Sequence, residues 1–438
     1  MLLILGTGAE TAPAQHGAGR PNVLLIMTDD QRAAGTMEVM PQTRSWFETT
    51  GTKFTQAFAT TPGCCPSRAT VFSGRYVHNH GVRSNDLSQS LDQRFTIQEY
   101  LHQSGYRTGY FGKYMNAWNL FRNPASYDDW TVTVAGYSPI RVNENGVVKT
   151  VVDYATNYFE DNAVRFIQDS EAQDATPWFL QVATTAPHAP FQAEAQYANA
   201  SVPPFDQPPN YFEADKRDKP VPVQNQNGDP ETIEAGRIQM LRTLMSVDDL
   251  VGNVFSTLQA TGELNNTIAI FMSDNGYQWG EHGLDFKGYA YDDSIRVPMY
   301  VRWPGHVVEG ATDSRLVANI DVAPTIADAV GGLPVVLPMD GRSMLNAAQS
   351  RSRILLEWYA VNGGLGWASI RTATSHYIEY YDVVDNQSIR FREYYDLTLD
   401  PWEQDNLLGD GSAANDPSTG ALSAQIAADR ACLGSTCP

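Results

Sequence analysis

The chain has 438 residues, 42% of them hydrophobic and 18% charged, a composition able to bury a large core in two or three domains. Thirty basic residues stand against 50 acidic ones, a formal net charge of −20, which argues against a nucleic-acid partner and would repel an anionic substrate at long range. An anion site must therefore gather its own positive charge in a cleft, from a chain with only six lysines.

In chain order, Met1 to Ala14 reads as the tail of a secretory signal, with a short apolar run and the Ala-x-Ala pattern Ala12-Pro13-Ala14 but no basic start, so residues 1–20 are expected to be a leader. No apolar run is long enough to span a membrane. Asn22 to Met27 is a continuous apolar run suited to a strand buried on both faces, and it ends in Thr28-Asp29-Asp30. Thr61-Pro62-Gly63 is a turn, Pro66 suits a first helical position, and Gly74 stops the short helix that follows. Cys64 then lies at a helix N-terminus, where free N–H groups and the helix dipole favour an anion, and Arg68 one turn on can add a bidentate donor.

Thr96 to Gly105 reads as a helix, Tyr106 to Phe111 as a strand leading into Gly112-Lys113, Asp153 to Asp169 as a helix, and Trp178 to Thr184 as a strand leading into Pro187-His188. Residues 201–230 read as a long surface loop, and a long helix follows whose stripe includes Ile238, Leu241, Met245, Leu250, Val254 and Leu258. Thr267 to Met272 is another buried strand, running into Ser273-Asp274-Asn275-Gly276; Val297 to Val301 is a further strand, and Asp321 is expected to cap a helix ending at Gly331-Gly332. Beyond the Gly/Pro-rich stretch 331–341, short strands at 354–359, 367–372, 377–381 and 388–394 predict a small antiparallel sheet.

Strand and helix alternation over the first 330 residues predicts an α/β fold with a mostly parallel sheet flanked by helices, in which ligands bind beyond the carboxyl ends of the strands. Asp29, Asp30, Lys113, His188, Asp274 and Asn275 all fall at such exits. The two pairs Asp29-Asp30 and Asp274-Asn275 offer only hard oxygens, which suits calcium or magnesium rather than zinc. Of the four cysteines, Cys64 and Cys65 are adjacent, and Cys432 and Cys437 either close a small disulfide loop or remain free thiols.

Cys64-Cys65-Pro66-Ser67-Arg68, with Ser73-Gly74-Arg75 after it, resembles the signature of the type I sulfatases, in which the first cysteine is converted to formylglycine. The resemblance continues through Asp29-Asp30, Gly112-Lys113, Pro187-His188-Ala189-Pro190, Ser273-Asp274-Asn275-Gly276, Gly280 to Lys287, and Tyr395 to Leu407, so it runs from about Pro21 to the C-terminus. Tyr76-Val77-His78-Asn79-His80, Gly112-Lys113-Tyr114-Met115-Asn116 and Cys432-Leu433-Gly434-Ser435-Thr436-Cys437 look most like the N-acetylglucosamine-6-sulfatase branch, which implies a Cys432–Cys437 disulfide. One departure is Met115, which stands where many members carry a Gly-Lys-Trp-His histidine proposed to help expel sulfate; His80 or His282 could replace it.

The resemblance implies an alkaline-phosphatase-like fold, with a catalytic domain over 21–340 and a smaller α+β domain over 341–438. It also implies a secreted or periplasmic sulfatase matured by a formylglycine-generating enzyme and acting on a sulfated sugar, with 6-sulfated N-acetylglucosamine leading. Asp29, Asp30, Asp274, Asn275 and the formylglycine at Cys64 would hold Ca2+ or Mg2+. The hydrated aldehyde would attack sulfur, Asp274 would assist, Lys287 or His188 would serve the leaving oxygen, and Arg68, Lys113 and Lys287 would supply cations. Two other readings are an arylsulfatase or a phosphonate or phosphate monoester hydrolase of the same superfamily, and a non-catalytic glycan-binding protein in which Cys64 is unmodified. Trp118, Tyr277 and Trp279 near the motifs are candidates for stacking on sugars, or for core packing.

Overall fold

The Asn22–Thr28 run forms the strand β1 at the middle of the molecule, every residue of it buried. The computed structural model describes residues 19–172, 176–360 and 365–438, so the expected leader falls almost wholly outside the described residues. The strands that follow are β2 (Thr52–Phe58), β3 (Arg107–Lys113), β4 (Asp129–Thr133), β5 (Ile140–Glu144), β6 (Val147–Val151), β7 (Trp178–Ala183) and β8 (Thr267–Ser273). A two-residue ladder, β9 (Gln278–Trp279) and β10 (Asp285–Phe286), precedes β11 (Met299–Arg302) and β12 (Ala311–Ala318). The last four are β13 (Ile354–Trp358), β14 (Gly366–Arg371), β15 (Ser375–Tyr381) and β16 (Ile389–Asp396).

Ten strands form one sheet in the order β12-β2-β11-β8-β1-β7-β3-β4-β5-β6. The stretch β8-β1-β7-β3-β4 is parallel, β11 is antiparallel to both its neighbours, and β4-β5-β6 closes the far edge as an antiparallel meander. The fold is thus a large mixed, mostly parallel sheet flanked by helices. Alternation along β1 shows why helices cover both faces: Val23, Leu25 and Met27 enter one core with the Cys64–Ser73 and Val322–Ala329 helices, while Leu24 and Ile26 enter the other with the Ala155–Glu171 and Pro230–Thr261 helices. Full burial of each such side chain is worth about 1.5–3 kcal/mol relative to exposure, which makes this central strand an anchor for the loops at its exit.

β13 to β16 form the predicted antiparallel sheet, and a third core shares Ile354, Trp367 and Tyr395 of this sheet with Phe58, Tyr76 and Tyr291 of the preceding chain. The Cys432–Cys437 disulfide is formed. No described helix is long and apolar enough to cross a membrane.

Three local expectations change. The 201–230 stretch is not wholly a surface loop: Asn210 and Lys219 are buried, Asn210 donating to the Trp402 carbonyl at 2.8 Å, and Val221–Gln224 is a short helix. Polar side chains there satisfy backbone groups of the C-terminal part, which lets a polar segment be buried. Asp321 does not accept from the helix that follows it; a short 3-10 turn, Asn319–Asp321, runs directly into Val322–Ala329, and the carboxylate instead takes the N–H groups of Ala318 and Arg342 at 2.8 Å each. Finally, the Cys64–Ser73 helix begins at Cys64, which makes Pro66 its third residue; the first-turn N–H groups lack intrahelical partners, so proline is tolerated there as well.

Candidate active site

Register brings the motif residues together. Thr28 pairs with Ser273 across the parallel β1–β8 ladder, so Asp29-Asp30 and Asp274-Asn275 leave the sheet side by side. Met27 pairs with Ala183, and Ala183 with Gly112, so the segments carrying His188 and Lys113 emerge at the same edge. Asp30 holds φ at +70°, a left-handed turn that folds its carboxylate back onto the cluster. Carboxylate oxygens of Asp29, Asp30 and Asp274 all lie within 4.8 Å of one another.

The Cys64–Ser73 helix points its N-terminus into this edge and is buried along its whole length. Gly74 ends it at φ +65°, its N–H returning to the Thr70 carbonyl at 2.8 Å. Cys64 Sγ lies 3.5 Å from Asp29 Oδ1 and 2.9 Å from Lys287 Nζ, and His188 presents a ring nitrogen within 4.8 Å of both Cys64 Sγ and an Asp29 oxygen. Burial, then the Asp29 charge, pushes the Cys64 thiol up to about 12 against the pull of Lys113 and Lys287. Cys65 turns away, its sulfur accepting the Asn116 N–H at 2.9 Å.

Three cations balance the carboxylates, and His188 stands beside them. Lys113 Nζ pairs with Asp29, and Lys287 Nζ with Asp30 while reaching Asn275 Oδ1 at 3.4 Å. Arg68 is the chief departure from expectation: with no exposed surface, it donates through Nε to Asp274 at 2.8 Å, through Nη2 to Asp29 at 3.1 Å, and through Nη1 to the Lys113 carbonyl. It clamps the acidic cluster and does not offer its fork outward, because two carboxylates in a dry site outcompete any exposed ligand for a guanidinium. His188 donates through Nδ1 to the Ala189 carbonyl at 2.7 Å, which leaves Nε2, 3.8 Å from Asp30 Oδ2, as the nitrogen facing the site. Burial raises the Asp29 carboxyl, but Lys113, His188, Arg68 and Lys287 together hold it far below the usual range. Asp274 titrates the other way: burial first, then the Asp29 charge, raise it despite Arg68.

Three carboxylates with the Asn275 amide form an oxygen-only donor set, and the lysines and arginine that crowd these oxygens show how much positive charge the cluster attracts. The set fits one hard divalent cation.

Neither histidine suggested in place of Met115 reaches this cluster. His80 is half-buried, its Nε2 bonded to Thr70 Oγ1 at 3.0 Å and its Nδ1 accepting the Val82 N–H, and desolvation, then the Arg75 charge, lowers its pKa to about 3. His282 bonds Glu213 at 2.9 Å and lies against the Tyr291 ring at 4.1 Å. Trp118, Tyr277 and Trp279 are buried in the two cores of the large sheet, so packing is their role.

Supporting contacts without a motif of their own complete the wall. Asn85 Oδ1 accepts the Cys65 N–H at 3.0 Å, Asn319 bonds both the Thr60 N–H and Ser67 Oγ, and Trp358 at the end of β13 lies so close to Gly63 that a Cβ there would come within 2.6 Å of its ring. Nothing in local sequence pattern marks these residues, because each contact closes across a long sequence separation.

A sheet of this topology with carboxylates at its strand exits and a helix N-terminus turned on them defines an alkaline-phosphatase-like α/β protein. The family described as Sulfatase matches residues 21–332, and the family described as N-sulphoglucosamine sulphohydrolase, C-terminal, matches residues 280–428. The chain belongs to the sulfatase family. It is 35% identical to the extracellular sulfatase SULF-1 homolog of Drosophila melanogaster over 76% of its own length, but spans only 32% of that protein. It is 29% identical to human N-acetylglucosamine-6-sulfatase, with 100% of this chain and 89% of that protein covered. A solved structure described as bound to its substrate D-glucosamine-2-N,6-O-disulfate superposes with a TM-score of 0.80 at 22% identity, covering 93% of this chain and 97% of that one.

Proposed function

We propose that the protein is a sulfuric ester hydrolase acting on sulfated carbohydrate, with the 6-O-sulfate of N-acetylglucosamine the leading substrate. The observation that carries this reading is the meeting of Cys64 with Asp29 and Lys287 at the helix N-terminus. The named relatives that cover most of the chain support the sugar, since human N-acetylglucosamine-6-sulfatase spans all of it. Residue 64 would be converted to formylglycine by a formylglycine-generating enzyme, and Asp29, Asp30, Asp274 and Asn275, with residue 64, would hold one Ca2+ or Mg2+ ion. Together these groups would supply a hydroxyl nucleophile and polarise a sulfate oxygen.

The rest falls to the chain's own side chains. Arg68 fixes Asp29 and Asp274 at one spacing, so the oxygen donors are preorganised. Lys287, against the reactive atom of residue 64, and Lys113, behind Asp29, provide positive charge for a sulfate in a protein that is otherwise strongly acidic. Asp274, whose affinity for protons is raised by burial, would take the proton of the attacking hydroxyl. As the ester S–O bond breaks, its electron pair passes to the sugar oxygen, and His188, through Nε2, would deliver the proton that oxygen needs. The Cys432–Cys437 disulfide supports a secreted or periplasmic location.

The test pairs chemistry with turnover. Peptide mass spectrometry should show the thiol-to-aldehyde change at residue 64 and none at Cys65, and active protein should release sulfate from 6-sulfated N-acetylglucosamine while Cys64→Ala protein does not. Faster release of phosphate from phosphate or phosphonate monoesters than of sulfate from any sulfate ester would overturn the assignment, as would full activity in Cys64→Ala.

A further inference from the structure

A cavity of about 360 Å³ lies where the chain leaves the large sheet for the C-terminal one, lined by Arg342, Ser350, Arg351, Ser352, Arg353 and Pro438. Residues 350–353 run directly into β13, and none of the lining residues belongs to the site around residue 64. Three guanidiniums thus face one small space in a chain whose net charge is −20. Two of them are anchored from behind. Arg351, its side chain only 3% exposed, donates through Nη2 to Asp321 Oδ1 at 2.5 Å, and Arg353 grips both oxygens of Asp429 through Nε and Nη2 at 2.8 Å each.

Those two carboxylates are fully engaged. Asp321 also accepts the Ala318 and Arg342 N–H groups, and Asp429 accepts the Gln425 amide at 2.9 Å. Arg342 is the cation left over: among the described residues it has no ion pair, and its guanidinium is held only by the carbonyls of Gln349, Ser350 and Cys437 at 3.5, 3.2 and 3.2 Å. Burial, then the Arg351 charge, push the Arg342 guanidinium below its ordinary range even with Asp321 nearby. Nη1 of Arg351 is buried without a partner among the described residues, and the exposed Ser350 and Ser352 hydroxyls have none there either. Three cations against two anions leave one positive charge uncompensated. A metal cation would be repelled here, and an apolar ligand would leave the buried donor unpaired. Guanidinium forks match the oxygens of a sulfate or phosphate, and serine hydroxyls suit the remaining ones.

We propose that this cavity is a structural site for one tetrahedral oxyanion of the sulfate or phosphate class, which supplies the missing counter-charge and ties the approach to β13 onto the large domain. The site is distinct from the acidic cluster and does not depend on the hydrolase reading. Its frame nevertheless leads toward the catalytic helix, since Asp321, the partner of Arg351, ends the Asn319–Asp321 turn, and the Asn319 amide bonds Ser67 Oγ at 2.8 Å. Calorimetry of the full chain in low-salt buffer titrates sodium sulfate, sodium phosphate and glycerol phosphate in turn. Wild type should bind either free ion with a Kd of about 1 mM or tighter. Arg342→Gln should weaken this roughly tenfold, the loss of one charge-assisted contact, and Ser352→Asp, which sets a carboxylate at the exposed rim, at least as much. The free ions should also raise the unfolding temperature of wild type but not that of Ser352→Asp, whose ion-free unfolding temperature should equal or exceed the wild-type value because the new carboxylate fills the charge deficit. That second readout decides the matter even if Arg342→Gln folds poorly. Glycerol phosphate bound as tightly as phosphate identifies the occupant as a phosphoryl group carried on a larger molecule, and weaker binding identifies a free ion; both uphold the oxyanion site. No binding tighter than about 10 mM, or equal binding in wild type and both variants, which would put the ion elsewhere, as at residue 64, overturns the inference.

Discussion

Replacing Arg68 by methionine tests the claim that this residue is a clamp inside the site. The substitution keeps the length and apolar stem of the side chain but removes three donors at once, those to Asp274, Asp29 and the Lys113 carbonyl. Asp29 keeps Lys113, whereas Asp274 keeps only the Asp30 N–H at 3.2 Å against a cluster of like charge. The damage is therefore concentrated on one buried carboxylate. Breaking a buried pair in this way costs about 3–5 kcal/mol, while the Lys113 carbonyl keeps the Tyr110 hydroxyl at 2.6 Å and adds little. Urea unfolding of chelator-treated protein at pH 7 should show a loss of that size. Arg68→Lys restores a charge but reaches only one of the two acids, so it should recover roughly half. A loss under about 1 kcal/mol in Arg68→Met, or no difference between the lysine and methionine variants, would refute the clamp.

Three further outcomes follow from single contacts. Gly112→Ala should fail to give stable protein, with a loss above about 4 kcal/mol, because φ is +136° and the new Cβ would stand 1.8 Å from the Ala183 carbonyl oxygen; near-normal thermal stability would contradict it. His188→Gln should slow sulfate release from a sugar by about 10²–10⁴-fold but from a nitrophenyl sulfate by less than about tenfold, since only the alkyl leaving group needs the proton; equal losses in the two assays would count against His188 as the acid. His78 has Glu357 Oε1 at 2.9 Å from Nδ1 and the Cys432 carbonyl at 3.2 Å from Nε2; burial opposes its charge, but the Glu357 bond and charge raise its pKa above 6.5. Its contribution to stability is complete below pH 6.5 and is lost as pH rises through the folded value, so the gap in urea midpoint between wild type and His78→Gln should narrow from pH 6 to pH 9, and parallel curves would exclude this role.

The site was legible where chemistry sits on strong periodic signals. β1 and β8 are apolar runs that end abruptly in acids, and their parallel pairing alone brings the four oxygen donors together. The turn before Cys64 and the glycine after Ser73 marked the helix between them. Less visible were β2 and β12, near one edge of the sheet, whose polar and apolar residues follow no two-residue alternation, and the β4-β5-β6 meander, whose Val147–Lys149 face is largely exposed. Such segments owe their strand form to neighbours and not to local pattern. The orientation of Arg68 was misread for a similar reason: a helix position shows which way a side chain leaves the backbone, but its partners came from the exit of β1 and from a loop more than 200 residues on.

Burial of Cys64 also has a consequence for the order of events in the life of the chain. Residue 64 has no exposed surface, and the residue before it, Gly63, lies under Trp358, made 294 residues after residue 64. At about 5–20 residues per second, a ribosome needs roughly 15–60 s to travel that distance. Under the proposed conversion of residue 64, an enzyme that had to grip the Cys64–Arg68 stretch as an extended strand would have that interval, before the wall closes, in which to act. Variants that speed early folding of the large sheet should then lower the fraction of aldehyde at residue 64 while leaving the finished fold intact.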